Sequence, residues 1–199
     1  MKIKYFMSHG SPWTFLGHNK IIKISKDNGC DLEILPVDFG KIFPVSGGLP
    51  VHKRPLQRQA YRLQELKRWS EYLKINLNPQ PKYFPSKSLL PTNVIISLKL
   101  MNFENVFEIA NTIMEGFWVK QIDIDNQTNL KKILLRYHKT AEEILEFAQS
   151  DIVKRELRKY TEDAIKLSVF GAPTYIIDDQ VFWGQDRLDF VERYIKRKK

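Results

Sequence analysis

The chain has 199 residues, 43% hydrophobic and 12% aromatic, which is enough apolar side chain for a packed interior and excludes a disordered chain. Lysine and arginine outnumber aspartate and glutamate 32 to 23, a formal net charge of +9. No apolar run approaches the roughly 20 residues of a membrane helix, and Met1–Phe6 meets His9, Gly10 and Pro12 before a signal-peptide core develops, so the cytoplasm is the expected location.

The opening residues alternate, with Ile3, Tyr5 and Met7 on one face, until Ser8-His9-Gly10-Ser11-Pro12 breaks the pattern. A strand therefore runs into a helix start, with Ser11 as candidate N-cap and Pro12 at the first helical position, where a missing N–H costs nothing. That helix carries Phe15, Leu16, Ile21, Ile22 and Ile24 and stops near Asn28-Gly29. A second alternating stretch, Asp31 to Val37, completes a β-α-β unit. From Pro36 to Pro55 the chain reads as loop, rich in Gly and Pro.

About a hundred residues of helical periodicity follow. Leu63, Leu66, Trp69 and Leu73 share one helix; a Pro-rich connection (Pro79, Pro81, Pro85) leads past Pro91 to a short helix from Thr92 with Ile95, Ile96 and Leu100. Val106, Ala110, Ile113, Met114 and Phe117 form another apolar face, as do Ile133, Leu134 and Tyr137, and then Ile144, Leu145 and Ala148. Asp151–Lys166 has near-balanced charge and reads as a largely solvated helix. At Val169 strand character returns: a strand led by Gly171 and Pro173 up to Ile177, a turn at Asp178-Asp179, and a second strand Val181-Phe182-Trp183. Gly184-Gln185-Asp186-Arg187 opens a final helix whose apolar positions are Leu188, Phe190, Val191 and Tyr194.

A β-α-β start and a β-β-α finish around an all-helical middle is the element order of an α/β, thioredoxin-like fold with an inserted all-helical domain. The expected division is 1–50 with 165–199 for the discontinuous thioredoxin-like domain and 51–164 for the insertion. Neither end could bury its strands alone, so the two must meet.

The single cysteine, Cys30, leaves no internal disulfide, CxxC pair or multi-cysteine zinc site, and His9, His18, His52 and His138 lack metal-ligand spacing; no metal is expected. Positive charge gathers at the C-terminal end (Arg193, Lys196 to Lys199) and in Lys53, Arg54, Arg58, Arg62, Lys67, Arg68 and Lys74. The first group suits the negative end of a helix dipole. The second suits an anionic small molecule as well as a phosphate backbone, and no nucleic-acid-binding motif accompanies it, so nucleic acid is not the expected partner.

Three places could carry chemistry. Ser11-Pro12-Trp13-Thr14 puts hydroxyls at a helix N-terminus, where free N–H groups and the dipole favour an anion and stabilise a thiolate; Ser11 also reads as an N-cap alone. Gly171-Ala172-Pro173-Thr174 has a proline leading a strand, either as a cis peptide that turns the Ala172 backbone toward a ligand or as an ordinary strand start. Gln185 and Asp186 offer an amide and a carboxylate at another helix start, or Asp186 is a plain N-cap.

Together, Ser11 to Gly17, Pro36-Val37-Asp38-Phe39-Gly40, Tyr61 to Leu66 with Lys67-Arg68-Trp69, Phe170 to Thr174 and Phe182 to Leu188 resemble the 2-hydroxychromene-2-carboxylate isomerases. These are relatives of kappa-class glutathione transferases and of the disulfide-oxidoreductase branch of the thioredoxin superfamily. The resemblance implies a glutathione-dependent isomerase acting on a small aromatic carboxylate, with a kappa-like transferase or peroxidase as one alternative and a noncatalytic partner-binding protein of the same fold as another. It implies Ser11 as the catalytic serine holding the glutathione sulfur as thiolate. Pro12, Ala172 and Pro173 would lie beside the cysteinyl part, Gln185 and Asp186 at the γ-glutamyl end, and a homodimer would be the assembly. Lys41, Lys53 and Arg54 are candidates for a glutathione or substrate carboxylate; Trp13 and Trp69 are candidate aromatic walls or core residues. One departure stands out: Gly47-Gly48 occupies the place where family members often have Gly-Asn.

Overall fold

The alternating opening becomes strand β1, Lys2–Met7, with Ile3, Tyr5 and Met7 buried on one face of the sheet and Phe6 on the other. These details come from a computed structural model, which describes residues 1–199. Ser11 caps helix α1, Pro12–Asp27, and the chain turns out of it through Asn28 and Gly29, whose φ of 58° a side chain would oppose. Strand β2, Asp31–Pro36, then lies parallel to β1 with Tyr5 opposite Ile34.

The next segment corrects the loop expected over Pro36–Pro55. Phe39–Ser46 is helix α2, capped by Asp38, whose carboxylate accepts from Gly40 N at 2.8 Å. Pro44 lies inside it and removes the bond its N–H would make to the Gly40 carbonyl. The helix persists because Ile42 is fully buried, which stabilises by about 1.5–3 kcal/mol, and Phe39 packs on the same cluster. Val51–Lys53 adds a short 3-10 turn.

Helices α3 (Leu56–Leu73), α4 (Leu90–Leu100), α5 (Val106–Trp118), α6 (Gln127–Leu134), α7 (Ala141–Ala148) and α8 (Asp151–Lys166) follow. α4 begins two residues before the expected Thr92, since Pro91 fits a first turn. α8 is less solvated than its charge balance suggested. Val153, Leu157, Tyr160, Thr161 and Ala164 form a stripe at three-to-four spacing that is buried, and only the opposite face carries the exposed charges.

Strands β3 (Thr174–Ile177) and β4 (Gln180–Trp183) form a hairpin whose turn is Asp178-Asp179, with Asp178 in the left-handed region that Asp tolerates. A 3-10 turn, Gln185–Arg187, leads into α9, Leu188–Lys198. In α9 the buried positions are Leu188, Val191 and Ile195; Phe190, one of the helix's apolar residues, is exposed. Its placement follows from helix geometry, because it lies two positions from Leu188 and so on the other side.

The sheet order is β2-β1-β3-β4, with β3 antiparallel to β1 and to β4, so residues from both ends of the chain share one sheet as expected for a thioredoxin-like fold. Its two faces have separate interiors. Ile3, Tyr5, Met7, Ile34, Tyr175 and Ile177 pack into a cluster that continues through α1, α5, α6, α7 and α9. Phe6, Leu35 and Ile176 pack with α2 and α8. α4 serves both, through Val94, Ile95 and Leu98 on one side and Ile96 on the other.

Candidate functional site

Ser11 has extended backbone (φ −99°, ψ 118°), so its side chain folds back over the first turn of α1. Its Oγ accepts from Thr14 N at 3.3 Å and donates to the carbonyl of Ala172 at 3.0 Å. The hydroxyl is thus a cap and also a cross-link, and its proton points at the second motif. The first-turn amides divide unequally. Pro12 has none, Thr14 is satisfied by Ser11 Oγ, and Phe15 bonds Ser11 O at 3.2 Å, leaving Trp13 N–H without an acceptor in the chain. Beneath them the Thr14 hydroxyl is fully buried and also without a partner. This end of α1 therefore offers donors suited to an anion.

The Ala172–Pro173 peptide is cis. Thr174 Oγ1 donates to Gly171 O at 2.7 Å, and Gly184 N donates to Pro173 O at 2.9 Å, so the turn is tied to both strands of the hairpin. A β-carbon on Gly171 would stand 2.3 Å from Trp183 Nε1, so glycine is required for the indole to lie there. Phe170 and Trp183 rings pack 4.9 Å apart and both remain about half exposed, an aromatic flank beside Ala172. Reading the sequence missed that flank; Trp183 was visible as part of the Gly184-Gln185 motif, but its exposure depends on the hairpin register.

Gln185 is buried, and a β-carbon on Gly17 would meet Gln185 Cβ at 2.8 Å and Tyr175 Oη at 3.0 Å. The backbone of α1 thus lies flush against the 3-10 turn, which seats the Gln185 turn on the same helix that Ser11 caps. Asp186 does not act as a plain N-cap. Its carboxylate bonds Arg187 Nη1 at 2.9 Å and remains exposed, and Gly184, at φ 105°, leaves room for it where a β-carbon would stand 2.4 Å from Oδ1. Burial and then the charge of Asp186 push the Tyr175 phenol well above its ordinary range, so it stays protonated. Tyr175 stacks on Tyr5, which bonds His18 Nδ1 at 3.1 Å. His18 Nε2 lies 2.9 Å from Phe107 O, which can only accept, so Nδ1 is the acceptor for Tyr5 and the ring is neutral; burial lowers its pKa to about 4.

His9 is a supporting residue that no motif announced. Ser86 Oγ donates to Asp125 Oδ1 at 2.6 Å, so the His9 Nε2–H donates to Ser86 at 2.9 Å, and Nδ1 accepts from Thr92 at 2.9 Å. Burial lowers the His9 pKa to about 4, with Asp125 opposing. The His9 carbonyl accepts from Trp118 Nε1 at 3.1 Å. The loop that ends at Ser11 is therefore held by α4, α5 and the segments before α4 and α6.

The remaining candidates are not drawn into this assembly by any bond. Lys41 and Lys53 are exposed on α2 and the 3-10 turn, Arg54 donates to Leu49 O at 2.8 Å, and Trp13 and Trp69 pack against the large core cluster. Gly48 has a local reason: a β-carbon there would stand 2.2 Å from the Phe43 ring, so the ring fills the space an asparagine would enter.

Against known proteins, the family described as DSBA-like thioredoxin domain matches residues 2–196. A 2-hydroxychromene-2-carboxylate isomerase of Sphingobium xenophagum is 26% identical over 194 residues, covering 97% of each chain. Glutathione S-transferase kappa 2 of Caenorhabditis elegans is 23% identical, covering 97% of this chain and 91% of its own. A solved 2-hydroxychromene-2-carboxylate isomerase structure superposes with a TM-score of 0.83 at 21% identity, covering 99% of this chain and 95% of the other. The Ser11 turn, the Ala172–Pro173 turn and the four-stranded sheet that joins them thus belong to a member of the DSBA-like thioredoxin domain family.

Proposed function

We propose that the chain is a glutathione-dependent isomerase that converts 2-hydroxychromene-2-carboxylate, or a close aromatic analogue, to the trans-o-hydroxybenzylidenepyruvate form. The observation that carries this reading is the Ser11 hydroxyl at the start of α1, 3.0 Å from Ala172 O, beside an unused Trp13 N–H. A helix end with a hydroxyl donor and no cysteine can stabilise a bound thiolate and cannot exchange a disulfide of its own. The residues present fit glutathione in kind: Ser11 and Pro12 at the sulfur, the Ala172–Pro173 backbone along the peptide, and Gln185 with the exposed Asp186 carboxylate for the γ-glutamyl carboxylate and ammonium.

When bound, glutathione supplies a thiolate whose reversible addition to a conjugated double bond lets that bond rotate. Ser11 contributes by moving its hydrogen bond from Ala172 O to the sulfur anion, while its lone pair keeps the Thr14 amide. The same donor set also suits a kappa-like transferase, a reading favoured by the kappa-class relative. Calorimetric titration with reduced glutathione beside a spectrophotometric isomerase assay separates the two. Binding with turnover is expected; binding without turnover would favour the transferase, and absence of binding would remove both.

A further inference from the structure

Arg62, in the first half of α3, is 7% exposed, and its guanidinium stands over the Phe84 ring at 5.1 Å from the centroid. No ion pair joins Arg62 to a carboxylate, and its Nη2 is buried without a hydrogen-bond partner. Buried arginines are ordinarily paired, because an uncompensated ion away from water costs several kcal/mol. The neighbouring charge that acts on it is unfavourable: burial first, and then the Arg54 guanidinium, lower the Arg62 pKa to about 10, which still leaves the cation at neutral pH. Arg62 also lines a cavity of about 70 Å³, with Gln59 and Gln80 as its other polar walls and Val51, Leu63 and Phe84 among its apolar ones.

We propose that Arg62 anchors a pocket for a small organic carboxylate, entering between α3 and the Pro79–Phe84 connection. One water needs about 10–15 Å³ of such space, so about 70 Å³ admits a carboxylate head and leaves the body of the acid at the mouth beside exposed Gln80. One face of the guanidinium is covered by Phe84, so recognition is in its plane, as a flat carboxylate prefers. Apolar walls suit an acid with a hydrocarbon body and disfavour a tetrahedral dianion. This pocket does not depend on the Ser11 reading. Its carboxylate could come from an aromatic acid or from a peptide such as glutathione.

The test measures melting temperature and calorimetric affinity of the full chain with sodium benzoate, reduced glutathione or inorganic phosphate at constant ionic strength, using the native chain, Arg62→Met, Arg62→Lys and Ser11→Ala. Benzoate should raise the native melting temperature and bind at least tenfold more weakly to Arg62→Met. Arg62→Lys, which keeps the charge and loses the planar fork, should fall between, and Ser11→Ala should bind benzoate as the native chain does. Arg62-dependent binding of glutathione instead of benzoate would support the pocket and assign its carboxylate to the peptide. Equal affinity of native and Arg62→Met for both carboxylates would overturn the proposal, as would Arg62-dependent binding of phosphate alone.

Discussion

The Ser11 hydroxyl and the Ala172 carbonyl meet at 3.0 Å although 161 positions separate them in the chain. One hydrogen bond thus joins the end of β1 to the turn before β3. Ser11→Ala should lower isomerase turnover by about 10²–10³-fold, the scale for losing one donor to a developing anion. It should cost about 1 kcal/mol of stability through the lost cap. Assay and urea unfolding on the same preparation check both figures; unchanged turnover would remove the hydroxyl from the chemistry.

Asp186→Asn removes the carboxylate proposed for the ammonium group of the ligand. Its present partner is Arg187 at the surface, so unfolding free energy should change by less than about 0.5 kcal/mol. Glutathione KM should rise about tenfold, or about 1.4 kcal/mol, with kcat little altered.

Stability should depend on pH through His9 and His18. Both have folded pKa values of about 4 against 6.5. The unfolded chain therefore binds the extra protons first, and stability is complete above pH 6.5 and lost as pH falls toward 4. Each histidine contributes on the order of 3 kcal/mol across that window. Urea unfolding at pH 7, 6 and 5 should show a slope approaching two protons, and His9→Gln should reduce it by one; a flat profile in the native chain would contradict the neutral assignment.

Trp118→Phe keeps an aromatic ring, leaves a small cavity and removes the donor to His9 O. If α5 positions the Ser11 loop, kcat should fall several-fold while glutathione KM stays near native, because the Gln185 turn is untouched. A purely structural tryptophan would lower the unfolding free energy, by the roughly 1–3 kcal/mol of an unpaired carbonyl together with the cost of the cavity, without the kcat effect.

Much of this architecture was legible because its signals are local. Alternation marks β1 and β2, Ser11-Pro12 marks the start of α1, and Gly171 to Pro173 marks the entry to β3. What stayed hidden depends on contacts between distant segments. α2 exists despite Pro44 because Ile42 finds the second interior, and α8 hides its apolar stripe among charges. Ser11, Ala172, Pro173 and Gln185 were readable from their motifs; Ser11 bonds Ala172 directly, and the Gln185 turn seats on α1 at Gly17. His9 was not, since its partners Ser86, Thr92, Trp118 and Asp125 approach it only through the packing of the helices. Arg62 looked like one more member of a surface charge cluster, and only its burial under Phe84 sets it apart.

The flush contact at Gly17 fixes a length. With no side chain between α1 and the Gln185 turn, the separation of the two elements is set by backbone meeting side-chain stem, and rotamer changes cannot stretch or shorten it. For the glutathione proposed above, so rigid a seat would make the length of the peptide, and not side-chain adjustment, the quantity that decides whether a thiol fits.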